Sequence, residues 1–470
     1  MKKYDAIIIG AGIGGLTSAL MLARKGVRVA LLENQSRAGG CCTSFTVKGF
    51  TFDACVDSIG ALGEGEPLRR IMQDELGIWD KLKFHGLDPV RRNFFPDFTI
   101  DIPVGLKKYE EELSRYFPAE SEGIKKVLSV MDKIYQVSLR SMLNNGAGGE
   151  DLVGYINMSF YDLLSSYVTD KKLQAVLSSY CTFLGLPGDE VSVIVGANIL
   201  MHYLKGGAYR VNGGIQKLVN TMVEEIQSHG GEVFLNEEVL RISRMNGAGY
   251  SVITKGNHNL DAKQLISNIA LKKSFELMGM EQSFQKSIDA AEVSGSFVVV
   301  YLGITGELAS SGIGASAGYF ESYSLDAMLN KNGVGSFGLS VHSLLDKSLA
   351  PEGHSTLSAA LPYCSIKRIS KDDRERIGDQ IMKRLDRVLP GIEKRVVYKT
   401  VSGPDTIERY TGNTLGAAYG WRQGKGFMKN LAFLRNLPDN FHVVGHWSGY
   451  GGGVMSSMLS AYRVVNNITK

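Results

Sequence analysis

Cysteine, proline and net charge are all scarce in this chain of 470 residues. Five cysteines without a CxxC pair are too few for a disulfide scaffold and show no zinc-ligand spacing, so we predict no structural disulfide and no metal. This cysteine content fits a reducing compartment, and the cytoplasm is the expected location. A formal net charge of +4 is small for this length and argues against a dedicated nucleic-acid-binding protein, which concentrates basic residues on one face.

Long hydrophobic runs are also missing. Residues 6–23 follow two lysines as a signal peptide would, but glycines interrupt them and no convincing small-residue cleavage site follows. The next apolar run, residues 191–204, contains Asn198 and His202 and is shorter than the ~20 residues that span a bilayer. We therefore predict no transmembrane helix, and peripheral membrane contact is left open.

Glycine, in contrast, is abundant, with 55 residues against 11 prolines, which indicates close backbone approaches rather than linkers. Near the start, an apolar run at residues 6–9 predicts a buried parallel strand, followed by a helix at residues 16–25. Residues 27–32 predict a second strand. This strand–helix–strand order is typical of the opening of a dinucleotide-binding fold.

The turn between the first strand and the helix follows the G-x-G-x-x-G pattern through Gly10, Gly12 and Gly15. Gly14 lies in the same turn. The first glycine permits the turn, the second lets a pyrophosphate approach the backbone, and the third lets the helix pack on the strand. The helix N-terminus then favours the anion. Glu33, at the end of the second strand, is placed to accept both ribose hydroxyls and would repel a 2′-phosphate.

The middle and the end of the chain return to an α/β pattern. Residues 64–205 show helical spacing and few strand signals, so we predict a largely helical insertion that covers a substrate. Apolar stripes predict helices at residues 373–389 and 454–465. Further strands are predicted at residues 232–235, 239–242, 264–269, 296–304 and 441–445.

Several motifs together resemble those of a known family. Their order along the chain is Glu33, the pair Gly39-Gly40 in RAGGCC, GFTFD at residues 49–53, VNGG at 211–214, SNI at 267–269 and GHWSGYGGGV at 445–454. With the first glycine turn, they resemble the FAD-dependent phytoene desaturase, carotenoid isomerase and retinol saturase family. This family belongs to the wider amine-oxidase-like flavoprotein superfamily.

The resemblance implies FAD as the cofactor and suggests which residues contact it. By position, Val239 packs on the adenine, Asn268 lies near the cofactor, and the closing motif lies under the flavin ring and ribityl chain. The cofactor-binding residues implied in this way are Gly10, Gly12, Gly14, Gly15, Glu33, Gly39, Gly40, Val239, Asn268, Gly445, His446, Gly453 and Val454.

The predicted fold class is α/β, with a Rossmann-type FAD-binding domain and a second, substrate-binding domain. The second domain combines a mixed sheet with the helical insertion. We assign residues 1–63, 206–270 and 430–470 to the FAD-binding domain, and residues 64–205 and 271–429 to the substrate-binding domain.

The resemblance further implies an FAD-dependent oxidoreductase or isomerase that acts on a long apolar polyene or isoprenoid. Desaturation, cis–trans isomerisation and saturation stay open, and each uses hydride or electron chemistry at flavin N5. One alternative is a flavin amine oxidase, for which Trp447 and Tyr450 offer aromatic rings. Another is a non-enzymatic prenyl-chain escort protein on the same scaffold, against which the intact glycine motifs and Glu33 argue.

No motif identifies the catalytic acid or base. The candidates are His446, Trp447 and Arg210, although Arg210 could equally lie at the surface. Cys41 and Cys42 are either redox-active beside a flavin or small packing residues, and the absence of a recognisable partner favours packing.

Residues 91–95, with the sequence RRNFF, combine basic and aromatic side chains. This composition suits a contact with a membrane surface. A solvated loop is the simpler interpretation, and both stay open.

Overall fold

The computed structural model of the chain describes residues 2–144, 148–245, 249–280, 282–324, 333–364 and 369–470, with the backbone alone described at 282–285. Within these ranges the strands are β1 (Lys2–Ile9), β2 (Val29–Leu32), β3 (Ser44–Val47), β4 (Phe50–Asp53), β5 (Ile59–Gly60), β6 (Phe84–Leu87), β7 (Arg91–Phe94), β8 (Thr99–Ile102), β9 (Ala208–Val211), β10 (Glu232–Phe234), β11 (Val239–Arg244), β12 (Tyr250–Thr254), β13 (Asn259–Ser267), β14 (Ser296–Thr305), β15 (Ser316–Phe320), β16 (Ser336–Ser340), β17 (His354–Tyr363), β18 (Val396–Ser402) and β19 (Phe441–Val443). The α-helices are α1 (Ile13–Arg24), α2 (Pro67–Arg70), α3 (Leu106–Tyr116), α4 (Ser121–Leu143), α5 (Phe160–Ser165), α6 (Lys171–Leu177), α7 (Val193–Gly206), α8 (Ile215–Ser228), α9 (Leu271–Met278), α10 (Gln282–Ala290), α11 (Lys371–Val388), α12 (Pro404–Thr411), α13 (Phe427–Asn430) and α14 (Val454–Ile468).

The first large sheet has the strand order β10-β2-β1-β13-β12-β11, with β19 paired to β13. Strands β10, β2, β1, β13 and β19 run parallel, and β12 and β11 add an antiparallel edge. Ile8 packs with α1, α8 and α14 on one face, whereas Ile7 and Ile9 pack with α9 and α13 on the other. A strand covered on both faces reads as a continuous apolar run, which is why residues 6–9 were recognisable in the sequence. The predicted α/β class is confirmed.

The second large sheet has the order β18-β14-β17-β16-β15-β7-β8. Its neighbours pair antiparallel except β15 and β7, which are parallel, so the sheet is mixed as predicted. The apolar side chains of α11 pack on one face through Ile381 and Leu385. Residues on the opposite face line a cavity toward the first sheet, among them Val299, Gly338 and Ala360.

Helices make up most of the ordered elements in residues 64–205, as predicted, but three short strands in this stretch were missed. Helices α3 to α7 do form one apolar core, but β6, β7 and β8 lie in the same stretch. Each of these strands is short, and the partners of β6 and β7, β9 and β15, lie more than a hundred residues later. Pairing with distant strands leaves no period in the local sequence, so pattern analysis could not detect them. In the described part of the chain, no helix is long and apolar enough to cross a membrane.

The stretch 91–95 forms a partly buried strand and not a solvated loop, so that interpretation was wrong, and a membrane contact stays a prediction. Arg91 begins β7 and is 2% exposed, and Asn93 is fully buried. Phe95 follows the strand and stacks on Phe320 with a ring separation of 4.7 Å. Alternate residues of this strand point into the protein, and the amide of Asn93 accepts a hydrogen bond from Arg91 at 3.1 Å.

The predicted domain division agrees with the strands of the two large sheets but not with all of the helices. Helices α9 and α13, assigned to the substrate-binding part, pack on the first sheet. A small third sheet, β5-β9-β6, combines strands from both predicted parts. The two parts are therefore closely joined, and their division into domains stays a prediction.

A buried ion pair lies where the two parts meet. Arg210 on β9 pairs with Asp53 at the end of β4, and both side chains are almost completely buried. Asp53 also accepts hydrogen bonds from the Ser44 hydroxyl at 2.5 Å and from the Ile215 backbone N–H at 3.0 Å. Arg210 donates to the Val56 carbonyl at 3.2 Å. The pair therefore ties β4, β9 and the start of α8 together.

Removing one member of this pair should strongly destabilise the fold. We expect Arg210→Met to lower the free energy of unfolding by about 3–5 kcal/mol, because Asp53 would be left charged and buried. The exposed pair Arg244–Asp439, with side chains 58% and 87% exposed, provides the control, and Arg244→Met should cost about 1 kcal/mol or less. Chemical denaturation of the two variants measures the free energy of unfolding. Equal losses of stability in both variants would contradict the stabilising role of the Arg210–Asp53 pair.

His442 on β19 should make stability depend on pH. Burial lowers the pKa of this ring from 6.5 to about 4, and its Nε2 lies 2.8 Å from Gln264 Oε1. Between these two pH values the unfolded chain binds a proton that the folded chain does not, so stability is full above pH 6.5 and falls as the pH drops toward 4. We expect wild-type protein to lose about 1–2 kcal/mol more than His442→Gln between pH 7.5 and pH 5 in urea titrations. Replacing the exposed His229 by Gln should leave the wild-type loss unchanged.

Candidate active site

One cavity of about 650 Å³ lies between the two large sheets. Glycine turns from the first sheet line one part of it, and side chains of the second sheet and of α7 line another. The volume is within the range of pockets that hold small molecules and cofactors. The predicted cofactor-binding residues are therefore expected to line this cavity.

The first glycine turn joins the buried end of β1 to the N-terminus of α1. Gly10 has a φ of +93°, which a residue with a side chain rarely adopts. Gly12 is the N-cap of α1, with no capping side chain and no acidic residue in the first turn. The first N–H groups of the helix thus keep their hydrogen-bonding capacity for an anion in the cavity.

Glu33 lies beside this turn at the end of β2. Its Oε2 accepts the Ala11 N–H at 2.8 Å and its Oε1 accepts the Gln35 N–H at 2.9 Å. Burial raises the pKa of Glu33, and the two backbone N–H groups oppose that rise. Each oxygen keeps a lone pair, and the side chain lines the cavity, so Glu33 can accept two further hydrogen bonds there.

The second glycine pair packs directly against the first turn. The Gly39 N–H donates to the Ala11 carbonyl at 2.8 Å, and Gly12 and Gly39 form an isolated parallel bridge. A Cβ on Gly40 would lie 3.4 Å from the Gly12 Cα. Two segments that are distant in sequence therefore form one smooth backbone wall.

The closing motif reaches the same point from the other end of the chain. A Cβ on Gly14 would lie 2.8 Å from the Gly445 nitrogen and 2.6 Å from Asn268 Oδ1, so a side chain there has no room. Gly453 is the N-cap of α14, again with no capping side chain and no acidic residue in the first turn. Two helices thus direct unsatisfied N–H groups at one cavity.

The structure brings almost all of the predicted cofactor-binding residues together. Those that line the cavity are Gly10, Gly12, Gly14, Glu33, Gly39, Gly40, Val239, Asn268, Gly445, His446, Gly453 and Val454. Gly15 does not line it, because its Cα faces the Gly10 carbonyl and allows α1 to pack on the turn. That packing is the role that the sequence pattern assigned to it.

Of the three catalytic candidates, only His446 lines the cavity. Its Nε2 lies 3.3 Å from Asn413 Oδ1, and burial lowers the pKa of His446 to about 4, so the ring is neutral at pH 7. Trp447 is 2% exposed and does not line the cavity, and its Nε1 donates to Asn413 Oδ1 at 3.0 Å. Arg210 is buried in its ion pair with the cavity-lining Asp53, so it is not a surface residue and does not itself line the cavity.

Three cysteines line the cavity next to the second glycine pair. The neighbouring Cys41 and Cys55 thiols act on each other, so that the pKa of Cys41 is lowered and the pKa of Cys55 is raised well above its ordinary value. Burial raises the pKa of Cys42. The sequence offered no partner for Cys41, and the structure supplies Cys55.

Sequence reasoning missed the polar residues on the substrate side of the cavity. Asp57, Arg91 and His342 all line it, and Ser316 and Ser340 donate hydrogen bonds to the Asp57 carboxylate. Burial opposes ionisation, but these donors and the His342 ring lower the pKa of Asp57 to about 2. Asp57 follows the GFTFD motif closely, which was the one available signal, whereas the others lie on separate strands or turns.

Further polar side chains reach the cavity from the helical cover and from the C-terminal part of the chain. They are Asn198, His202, Tyr203, Tyr419 and Gln423. In the described part of the chain, no group of three or more His, Cys, Asp and Glu side chains is arranged to hold a metal ion.

These features fit FAD. The bare N-terminus of α1 suits a pyrophosphate, Glu33 suits a ribose, and the glycine walls leave space that any Cβ would occupy. The second bare N-terminus, that of α14, suits the electron-rich edge of a flavin ring.

Comparisons with known proteins agree with this assignment. The family model for flavin containing amine oxidoreductases matches residues 13–469. Prolycopene isomerase from Daucus carota is 27% identical, covering 99% of this chain and 81% of that protein. All-trans-retinol 13,14-reductase from Danio rerio is 25% identical, covering 90% of this chain and 78% of that protein. The solved structure of cyclohexylamine oxidase from Brevibacterium oxydans has a TM-score of 0.68 at 17% identity, covering 99% of this chain and 100% of that one.

Fold and cavity together define a flavoprotein oxidoreductase with FAD as its cofactor, as the sequence predicted. The chain belongs to the family of flavin containing amine oxidoreductases. The resemblance to carotenoid isomerases and retinol saturases is likewise confirmed by the two relatives.

Closing the glycine contact should expel the flavin. We expect Gly14→Ala to lower the flavin-to-protein ratio and to weaken FAD binding by about tenfold or more, because the new methyl group would meet Asn268 and Gly445. Gly154, where an added methyl group would meet no heavy atom within 4 Å, provides the control, and Gly154→Ala should keep its flavin. The flavin absorbance relative to protein concentration measures the ratio, and a fully yellow Gly14→Ala protein would contradict the assignment.

Proposed function

We propose that this chain is an FAD-dependent enzyme that desaturates, isomerises or saturates a long apolar polyene of the carotenoid type. The observation that supports this most is one cavity in which three glycine segments meet an apolar compartment. Similarity to prolycopene isomerase and to all-trans-retinol 13,14-reductase over most of the chain supports the same substrate class.

The proposed cofactor-binding residues each supply a defined contact. The first turn of α1 would hold the pyrophosphate, Glu33 the adenosine ribose, and the Val239 backbone the adenine. The Gly39-Gly40 pair and the first turn of α14 would hold the flavin end. When bound, FAD supplies a two-electron acceptor and donor that works on allylic C–H bonds or conjugated double bonds.

The substrate compartment is suited to a hydrocarbon chain. Its apolar residues are Met142, Phe183, Leu184, Val195, Ile199, Phe297, Val299 and Leu339. An apolar wall excludes water and fixes the chain mainly by shape. A neutral His446 at the cavity wall can accept a proton, so it stays the proposed acid–base candidate for any step that needs one.

A flavin amine oxidase is less well supported by the cavity. Trp447, one of the two aromatic residues proposed for an amine cage, lies outside the cavity wall, although Tyr450 lines it. The charged Arg91 on the substrate side would repel a protonated amine. Similarity to amine oxidases at 17% identity shows the shared fold.

Incubation with candidate substrates tests the proposal. We expect oxidised or reduced holoprotein, supplied with acyclic carotenoids or retinoids in micelles under nitrogen, to change their conjugation or double-bond geometry. Chromatography with absorption spectra detects either change, and flavin-depleted Gly14→Ala protein should give none. Oxygen consumption with amines, together with unchanged polyenes, would refute the proposal.

Such a substrate dissolves in membranes, so peripheral membrane contact follows as part of this proposal. A cytoplasmic location stays a prediction. Co-sedimentation of the holoprotein with lipid vesicles measures the contact directly.

A further inference from the structure

Arg91 is a buried cation in the substrate side of the cavity wall. Only 2% of its surface is exposed, and it lines the cavity from β7 in the second sheet. Nothing in the proposed polyene chemistry requires a positive charge at this place. The residues around Arg91 therefore indicate what kind of ligand group it binds.

The guanidinium group of Arg91 is held in position from several sides. Asn93 Oδ1 accepts a hydrogen bond from Nε at 3.1 Å, and the Phe183 ring centre lies 4.4 Å from the guanidinium carbon. Beneath it, Gly318 and Gly338 are cross-strand neighbours on β15 and β16. A Cβ on Gly318 would lie 2.8 Å from Nη2, so glycine at that position makes room for the charged group.

The two terminal nitrogens of Arg91, in contrast, have no hydrogen-bond partner within the part of the chain that the structure describes. Among the residues that the structure describes, none accepts a hydrogen bond from Nη1 or Nη2, and no carboxylate lies within ion-pair distance. Asp57 acts on Arg91 by charge alone and lies beyond ion-pair distance, and its oxygens accept hydrogen bonds from Ser316 and Ser340. Burial lowers the pKa of Arg91, but the ordinary value is so high that the group stays charged at neutral pH.

A second buried arginine among the described residues, Arg210, has all of its charge paired within the protein. Arg210 is paired with Asp53 and also donates to backbone carbonyls and to His342. A purely hydrocarbon ligand would leave Arg91 desolvated and unpaired, which costs free energy. A carboxylate could accept from both terminal nitrogens at once, in the bidentate geometry that arginine favours.

The number of charges favours a single carboxylate over a phosphate chain. Arg91 provides one positive charge on this side of the cavity, and the ionised Asp57, which accepts from Ser316 and Ser340, provides one negative charge. Lys272 and Lys273 also line the cavity, but they lie on α9, which packs on the first sheet. A diphosphate on the substrate side would therefore keep most of its charge uncompensated.

We propose that the substrate is an amphipathic polyene with a carboxylate at one end, and that Arg91 binds this carboxylate. The inference rests on the proposed function for the polyene part and adds the polar end group. The apolar side chains of Phe183, Leu184, Val195 and Ile199 then receive the hydrocarbon chain.

Binding of a polyene acid and its neutral ester to the holoprotein tests the proposal. We expect all-trans-retinoic acid to bind wild-type protein about tenfold to a hundredfold more tightly than its methyl ester, because charge-assisted hydrogen bonds to a buried arginine would be lost with the ester. Quenching of tryptophan fluorescence and perturbation of the flavin absorption spectrum both report binding without turnover. In Arg91→Met, the acid should lose this advantage and bind no more tightly than the ester.

Arg92 supplies the matched control. It is the next residue on the same strand, it is partly exposed, and its Nε pairs with Asp101 at 2.7 Å outside the cavity. Arg92→Met removes the same charge from β7, and we expect it to keep the preference for the acid. Flavin content and melting temperature show whether each variant is folded.

Two results would overturn the proposal: equal binding of acid and ester by wild-type protein, or an undiminished preference in folded Arg91→Met. Should Arg91→Met not fold, Arg91→Lys decides, because lysine keeps the charge but not the bidentate donors. A reduced preference in that variant supports the proposal and an unchanged one contradicts it.

Activity assays separate this inference from the proposed function. Conversion of neutral polyenes without any preference for acids would refute the carboxylate site and leave the polyene chemistry standing. Arginine-dependent binding of the acid without conversion of any polyene would support the carboxylate site and refute the proposed polyene chemistry.

Discussion

The close approach of the backbone around Asn268 is the constraint on which the rest of the cavity depends. Its Nδ2 donates to the Gly10 carbonyl at 3.2 Å, and its side chain fills the space next to Gly12, Gly14 and Gly445. One amide thereby sets the spacing between a turn near residue 12 and a turn near residue 445. Any Cβ at these glycines would widen that spacing, and the two helix N-termini would no longer face one cavity.

The two parts of the cavity use charge in different ways. On the first sheet, attraction for an anion comes from backbone N–H groups at the starts of α1 and α14, which have no capping side chain. On the second sheet it comes from one arginine side chain, Arg91. Backbone N–H groups suit a cofactor that stays in place, because the helix fixes their direction toward the cavity. A single guanidinium group suits a ligand that must also leave.

The two buried arginines also show how position decides role. Arg210 forms an ion pair with Asp53, and this pair joins β9 to β4. Arg91 is equally buried but faces the cavity with its terminal nitrogens unpaired in the described structure. Both lie on short strands that follow no clear apolar pattern, so composition could not separate them. Their roles differ because Asp53 of β4 lies next to Arg210, whereas the cavity lies next to Arg91.

Much of the first sheet could be predicted because its signals are local. The run at residues 6–9, the glycine turn after it and Glu33 all lie within one strand–helix–strand unit. The strands at 296–305 and 441–443 were found from apolar composition alone. In contrast, β7 and β12 were missed: β7 consists mostly of polar residues, whereas β12, with the sequence YSVIT, has strand-favouring residues that the sequence analysis passed over. The strand character of β7 is reinforced by pairing with the distant β15, which a local pattern does not reveal.

The sequence by itself determined that a dinucleotide-type cofactor binds and where along the chain its glycine turns lie, and the family resemblance of its motifs pointed to FAD. Glycine turns need particular residues at particular spacings, and these residues lie within a short stretch of the sequence, where the pattern can be recognised. Only the tertiary structure decided that Trp447 and Arg210 lie outside the cavity and that Asp57, Arg91 and Cys55 lie inside it. Whether a side chain faces a cavity or a neighbouring strand depends on pairing across hundreds of residues, and a one-residue shift in that pairing reverses the outcome.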